Sequence, residues 1–191
     1  MNYPKGIKKE NTNNYIKFDN RGMDLENDIN ITNEYYASNN IAYIYKKPTP
    51  IQVTKVDYKN NSVIIKEAYF KEPSTTDYNG LYKGKYIDFE AKETNSKTSF
   101  PLSNIHKHQI QHIRNITNNG GTCFLIVRFT TLNRNYILMG NDFINYIDGN
   151  TRKSVPIDYF EEKGYLIELS YVPRLDYIKV LDKIEGGYNG K

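Results

Sequence analysis

Cysteine is almost missing from this chain of 191 residues. Cys123 stands alone, so no internal disulfide can form, and a reducing, cytoplasmic setting is expected. Tryptophan is absent. No apolar run approaches the ~20 residues a membrane-crossing helix needs, so no membrane partner is expected. The N-terminus lacks the apolar stretch of a secretory signal. Neither sign of charge dominates: 26 Lys and Arg stand against 22 Asp and Glu, a net charge of +4, with a sequence pI near 8.9. That balance permits a polyanionic partner without requiring one. Internal repeats are lacking, and so are the P-loop and dinucleotide fingerprints.

What is present fits a folded protein with wide polar surfaces: 38% hydrophobic and 25% charged residues. The length suits one domain with a real core. Eighteen Tyr and eight Phe give an aromatic-rich chain. Asn, Ile and Lys are equally abundant, so the tyrosine count alone reflects composition. Individual tyrosines matter only where a motif places them.

Residues 1–19 are polar, rich in lysine and without sustained period, which reads as a flexible basic arm. One domain is expected over 20–185, with a loose tail at 186–191. Leu25, Ile29 and Tyr36 stand near helical spacing, so a first helix is expected to end at Asn39-Asn40. Strands are expected at 41–45, around Ile51 to Lys55, and at 63–70. Segment 46–72 thus forms a long two-stranded excursion whose turn carries Lys59, Asn60 and Asn61. A hairpin is expected within 74–92 and a polar loop at 94–101. Ser103 is a candidate N-cap for a helix running to Asn118, with Gly120-Gly121 as its stop. The apolar run 123–129 reads as a buried strand, with further strands at 136–139 and 165–169. A last helix follows Pro173. Strands interleaved with helices make the class mixed α/β.

The chemistry gathers on one strand. Period two puts Tyr86, Asp88, Glu90 and Lys92 on one face and Ile87, Phe89 and Ala91 on the other, toward the core. An acidic residue two before a lysine is a weak pattern alone, since Asp57-x-Lys59 and Glu161-x-Lys163 repeat it on what look like surfaces. The partner strand discriminates. A turn at Asn79-Gly80 would leave Glu90 far from Asp77. A turn at Lys83-Gly84 places Asp77 opposite Glu90 and Thr75 opposite Lys92, with opposed Cβ atoms about 4.5–5.5 Å apart. It also pairs Tyr78 with Phe89 and lets another backbone approach Gly80. Two carboxylates that close repel unless a positive charge lies between them. Mg²⁺ suits such a pair, because it takes a few carboxylate oxygens and keeps waters for chemistry. Lys92 could orient a water or stabilise charge on a pentacoordinate phosphorus. That is the working set of a metal-dependent nuclease. The ordinary alternative is a solvated polar face.

On the following helix Gln109 is the polar member of the stripe Ile105, Gln109, Ile113, Ile116, so it should point toward the sheet and find a partner. It could bond a metal-bound water, ligate through its carbonyl oxygen, or bond backbone in the core. His108 and His112 have a zinc-compatible spacing, but nothing completes a tetrahedral set, so a polar helix face is expected. Glu26 lies one step off the Leu25/Ile29 stripe, as an accessory carboxylate or an early-helix Glu favoured by the dipole.

Several long motifs in order resemble RecU, a family of Holliday junction resolvases. They are Asn20-Arg21-Gly22-Met23, Lys46-Lys47-Pro48-Thr49-Pro50, Glu67-Ala68-Tyr69-Phe70, Ser74-Thr75-Thr76-Asp77-Tyr78-Asn79-Gly80, Tyr86-Ile87-Asp88-Phe89-Glu90-Ala91-Lys92-Glu93-Thr94, Lys97-Thr98-Ser99-Phe100-Pro101-Leu102 and Pro173-Arg174-Leu175-Asp176-Tyr177. The resemblance implies a restriction-endonuclease-like mixed sheet flanked by helices, with 46–72 as a protruding two-stranded stalk. It implies a homodimer that cleaves four-way DNA junctions with Mg²⁺ or Mn²⁺, and recombination partners: the strand-exchange recombinase and the branch-migration machinery. Thr75, Asp77, Glu90 and Gln109 would be the metal set, and Lys92 the transition-state stabiliser. Arg21, Lys46, Lys47, Lys59 and the arm's lysines are candidate phosphate contacts, which position rather than read sequence. The stalk turn Tyr58-Lys59-Asn60-Asn61 departs from the family's pattern, which has a Pro and a further basic residue there. A junction-binding module that does not cut and a site-specific duplex endonuclease are the rival readings.

Overall fold

The computed structural model describes residues 24–59, 62–71 and 75–188. The basic arm, Arg21, the stalk-tip residues 60 and 61, and 189–191 lie outside the described residues, as does the side chain of Lys59. Helix α1 (Leu25–Ser38) begins where the Asp24 carboxylate caps the Asn27 N–H at 2.8 Å. Its buried stripe of Leu25, Ile29 and Tyr36 is the one the spacing predicts. Strand β1 (Tyr43–Lys46) then leads into β2 (Ile51–Lys59) and β3 (Ser62–Phe70). These two pair only with each other, as a separate two-stranded sheet. Nine residues per strand give it a reach of ~30 Å. β3 is exposed along its whole length, and Lys71 N–H closes the base on Pro50 O at 2.9 Å. This is the expected stalk.

The chain re-enters at β4 (Tyr78–Tyr82) and turns into β5 (Lys85–Thr94). The turn is at Lys83-Gly84, with φ of 47° and 77°. Positive φ at both positions is what a two-residue hairpin matching strand twist requires. Tyr78 pairs with Phe89 and Gly80 with Ile87, the register favoured by the chemistry. Asn79-Gly80 is not a turn because Gly80 faces β1. A Cβ there would lie 2.0 Å from Tyr43 O and 2.6 Å from Ile44 Cα. The Tyr78 and Phe89 rings stack at 4.9 Å.

Beyond β5 come β6 (Ser99–Pro101), α2 (Lys107–Asn118), β7 (Thr122–Phe129) and β8 (Arg134–Met139). Next are α3 (Gly140–Gly149), β9 (Ser154–Pro156), α4 (Ile157–Lys163), β10 (Tyr165–Ile167) and α5 (Tyr177–Tyr188). The main sheet runs β1-β4-β5-β7-β8-β10, parallel at β5–β7 and antiparallel at every other pair. Period two splits β7 between two cores. Phe124 and Ile126 pack with α1 and α5 residues, while Cys123, Leu125, Val127 and Phe129 pack under α2, α3 and α4. A central strand covered on both faces explains the continuous apolar run. The mixed sheet between helical layers, with its separate stalk, is the expected restriction-endonuclease-like architecture.

Three expectations are corrected. Segment 94–101 is not all loop: 99–101 pairs with 154–156, burying Phe100 and Val155. Ser103 does not cap α2. It lies in a short 3₁₀ turn, Ile105 is extended and buried, and α2 starts at Lys107 after His106. Burying Ile105 outweighs the capping preference of Ser103. Residues 186–188, the start of the segment expected as a loose tail, lie within α5.

Candidate active site

Strand β5 carries the site because it is covered on both faces from Ile87 to Ala91. Its polar members are therefore held in a dry setting rather than in solvent. Glu90 is fully buried. Its Oε1 accepts from Gln109 Nε2 at 2.6 Å and pairs with Lys92 Nζ. Its Oε2 is buried with no hydrogen-bond partner among the described residues. Asp77 precedes β4, and its Oδ2 lies 3.3 Å from the Ala91 N–H and 3.7 Å from Lys92 Nζ. The hairpin register thus brings Asp77, Glu90 and Lys92 together.

Burial first, and the Asp77 charge second, push the Glu90 carboxyl up to about 8, against the pull of Lys92. Lys92 is raised as well. Burial would lower it, but the two carboxylates outweigh that and keep it charged. A buried carboxylate beside a partly exposed carboxylate and lysine, with one carboxylate oxygen lacking a donor, fits a divalent cation. The cation would supply the missing partner and relieve the repulsion. Among the described residues no three His, Cys, Asp or Glu side chains gather around one point. No tetrahedral zinc set is therefore assembled among them.

Gln109 is buried and reaches the sheet, as its place in the stripe predicts. It meets Glu90 through its amide nitrogen, while its carbonyl oxygen accepts the His106 N–H at 2.9 Å and caps α2. Ligation through that oxygen would require the amide to turn over. The Thr75 hydroxyl donates to Thr76 O at 3.3 Å, beside Asp77 in the chain. Glu26 stands across the cleft, paired with Lys46, both about half exposed. Glu26, Lys46, Lys47, residues 48–50 and residues 75–77 line one cleft, so the stalk base borders Asp77 and Glu26. Lys47 turns inward: its Nζ lies 2.7 Å from Asp88 Oδ2 and 2.9 Å from Thr76 Oγ1.

Sequence reasoning placed Asp88 on the polar face but found none of its partners. Burial alone would raise its carboxyl, but Lys47, Thr76 and Tyr86 hold it below the usual range. His112 is drawn in as well, 3.3 Å from the same carboxylate. Alternation on β5 was the available signal; Lys47 arrives from across the sheet, which no local pattern shows. Also unread was the buried Arg128–Asp28 ion pair that ties β7 to α1.

Residues 20–183 match the family Recombination protein U, RecU. A Geobacillus protein named Holliday junction resolvase RecU is 56% identical over 171 residues, 87% of this chain and 85% of its own. One of the same name from Oceanobacillus iheyensis is 49% identical over 96% of this chain and 99% of its own. Another from Streptococcus thermophilus is 47% identical over 98% of each. A family match and relatives this similar over nearly the whole length leave one assignment: the chain belongs to the RecU family.

Proposed function

We propose that this protein is a Holliday junction resolvase, a divalent-metal-dependent endonuclease that nicks four-way DNA junctions. The observation that carries the reading is the Asp77–Glu90–Lys92 group: Glu90 is fully buried, its Oε2 has no donor among the described residues, and Asp77 lines the cleft at the stalk base. Asp77 and Glu90 would hold Mg²⁺ or Mn²⁺, with Thr75 and a turned Gln109 amide as neutral donors. When bound, the cation would supply Lewis acidity at the scissile phosphate and lower the pKa of an attacking water.

This chain's own groups do the rest. Gln109 fixes Glu90 Oε1, which leaves Oε2 as the free acceptor. Lys92 keeps its proton between the two carboxylates and offers an ammonium to the charge that grows on the phosphoryl oxygens. Lys46 at the cleft rim is a phosphate contact that Glu26 holds in place. The stalk carries exposed Tyr58, Tyr69 and Phe70, flat surfaces on which unpaired bases at a junction centre can stack. A twofold dimer would present two such sites to two opposed strands of a near-symmetric junction. The single, buried cysteine suits a reducing cytoplasm.

The test uses a labelled immobile junction and a duplex of matched sequence, each with Mg²⁺, Mn²⁺ or EDTA, beside a Glu90→Ala control. Paired, metal-dependent nicks on the junction alone, absent in the control, are expected. Tight junction binding with no cutting in either metal would instead favour a binding module. Equal cutting of the duplex would favour a duplex endonuclease.

A further inference from the structure

Asp88 is a second carboxylate on β5, two residues before Glu90 and fully buried. The chemistry above does not use it. A buried carboxylate is costly unless it is paired and hydrogen-bonded, and Asp88 is both. Lys47 Nζ and the Tyr86 hydroxyl reach Oδ2 at 2.7 and 2.8 Å, and the Thr76 hydroxyl donates to Oδ1. His112 Nε2 stands 3.3 Å away.

Lys47 is the pivot of this group. Its side chain is only 18% exposed, and its Nζ also lies 2.9 Å from Thr76 Oγ1. Its backbone N–H donates to Asp77 O at 2.8 Å. One residue therefore grips the Asp77 main chain, the Thr76 side chain and the Asp88 carboxylate. This matters because the β4–β5 ladder begins at Tyr78. Residues 75–77 carry Thr75 and Asp77 yet lie outside that ladder. The Ala91 N–H and Lys92 Nζ meet Asp77 at its Oδ2, and the Lys47–Asp88 pair holds the segment from the other side through Thr76. Lys47 also follows directly on β1, where the chain departs for the stalk, so the stalk root and Asp77 share an anchor.

We propose that Lys47 and Asp88 are positioning residues for DNA cleavage: their buried ion pair, bridged by Thr76, sets segment 75–77 and thus the Asp77 carboxylate against Glu90. The inference rests on the proposed reading of the Asp77–Glu90 site. It makes Lys47 an internal brace rather than a phosphate contact.

The experiment compares the full-length protein with Lys47→Met, Asp88→Asn and the double variant. Three quantities are read. They are Mn²⁺ affinity by calorimetry without DNA, junction affinity in EDTA across a salt series, and the single-turnover cleavage rate. Thermal melts give the folded fraction. Each single variant should weaken Mn²⁺ binding and slow cleavage by about tenfold or more, the range expected when a supporting partner of a metal site is lost. Junction affinity and its salt slope should stay as in the parent. The double variant should be no worse than the poorer single, because both act through one pair. It also removes both buried charges together, so it carries the test if a single variant fails to fold.

A fall of about 0.9 in the log–log salt slope for Lys47→Met, with Mn²⁺ affinity intact, would make Lys47 a phosphate contact and overturn the proposal. Lower melting temperatures with unchanged Mn²⁺ affinity and unchanged cleavage per folded molecule would reduce the pair to a stabilising role and overturn it too. A parent protein that neither binds Mn²⁺ nor cuts would sink the reading of the site, and the brace with it. An active parent with unaffected variants would sink the brace alone.

Discussion

Gln109 and Glu90 are joined by a 2.6 Å hydrogen bond from amide to carboxylate, and the other end of the same amide caps helix α2 at the His106 N–H. One side chain therefore ties the position of a helix to the orientation of the central carboxylate. Gln109→Leu leaves both a buried carboxylate oxygen and a helix N–H short of a partner. We expect a stability loss of about 1–3 kcal/mol in denaturant melts. We also expect junction cleavage to fall about tenfold or more, with junction binding retained. Full activity in this variant would show that α2 does not orient Glu90.

The Glu90 carboxyl has its ordinary value near 4.5 in the unfolded chain and is pushed up to about 8 in the metal-free fold. Between those values the native state holds a proton that the unfolded state has lost. Stability of the metal-free protein should therefore fall as pH rises from about 4.5 to about 8. Glu90→Gln should flatten that slope. Mn²⁺ binding must expel the same proton, so apparent affinity should climb with pH across this window and proton release should be seen in calorimetry. Melts that are flat with pH in both proteins would contradict the burial argument.

Gly80 lies where β4 crosses β1. A methyl group there meets backbone atoms of Tyr43 and Ile44, which cannot step aside as a side chain could. Gly80→Ala should cost at least about 2 kcal/mol. Gly84→Asn, in open space at positive φ, should cost far less. Comparing the two melting temperatures separates close approach from turn conformation. Equal losses would contradict the steric account.

The stalk pairs only with itself and closes at Pro50 and Lys71. Replacing 51–70 by a short Gly-rich turn should leave the melting temperature within a few degrees. Preference for the junction over matched duplex should drop. A collapse of the fold instead would mean that the stalk contributes to the core.

Much of this was legible because it is local and periodic. The Lys83-Gly84 turn and the alternation of β5 together set the register that unites Asp77 with Glu90. The stripe of α2 placed Gln109 toward the sheet. What stayed hidden depends on partners distant in sequence. Lys47 reads as one of two basic residues beside a Pro turn, and only the sheet order brings it to Asp88. Strand β6 has three residues and exists because Val155 and Phe100 bury together. The start of α2 is set by the burial of Ile105 and the Gln109 cap, both of which outrank the propensity of Ser103.

The central claim is that Asp77, Glu90 and Lys92 act on the cleavage step rather than on binding. The most direct measurement is single-turnover cleavage of a four-way junction by Asp77→Asn and Lys92→Ala, with junction affinity measured in parallel. The account predicts cleavage reduced by ~10²-fold or more in each, with dissociation constants within about threefold of the parent. Cleavage at the parent rate in Asp77→Asn, or losses that merely track weaker binding, would contradict it.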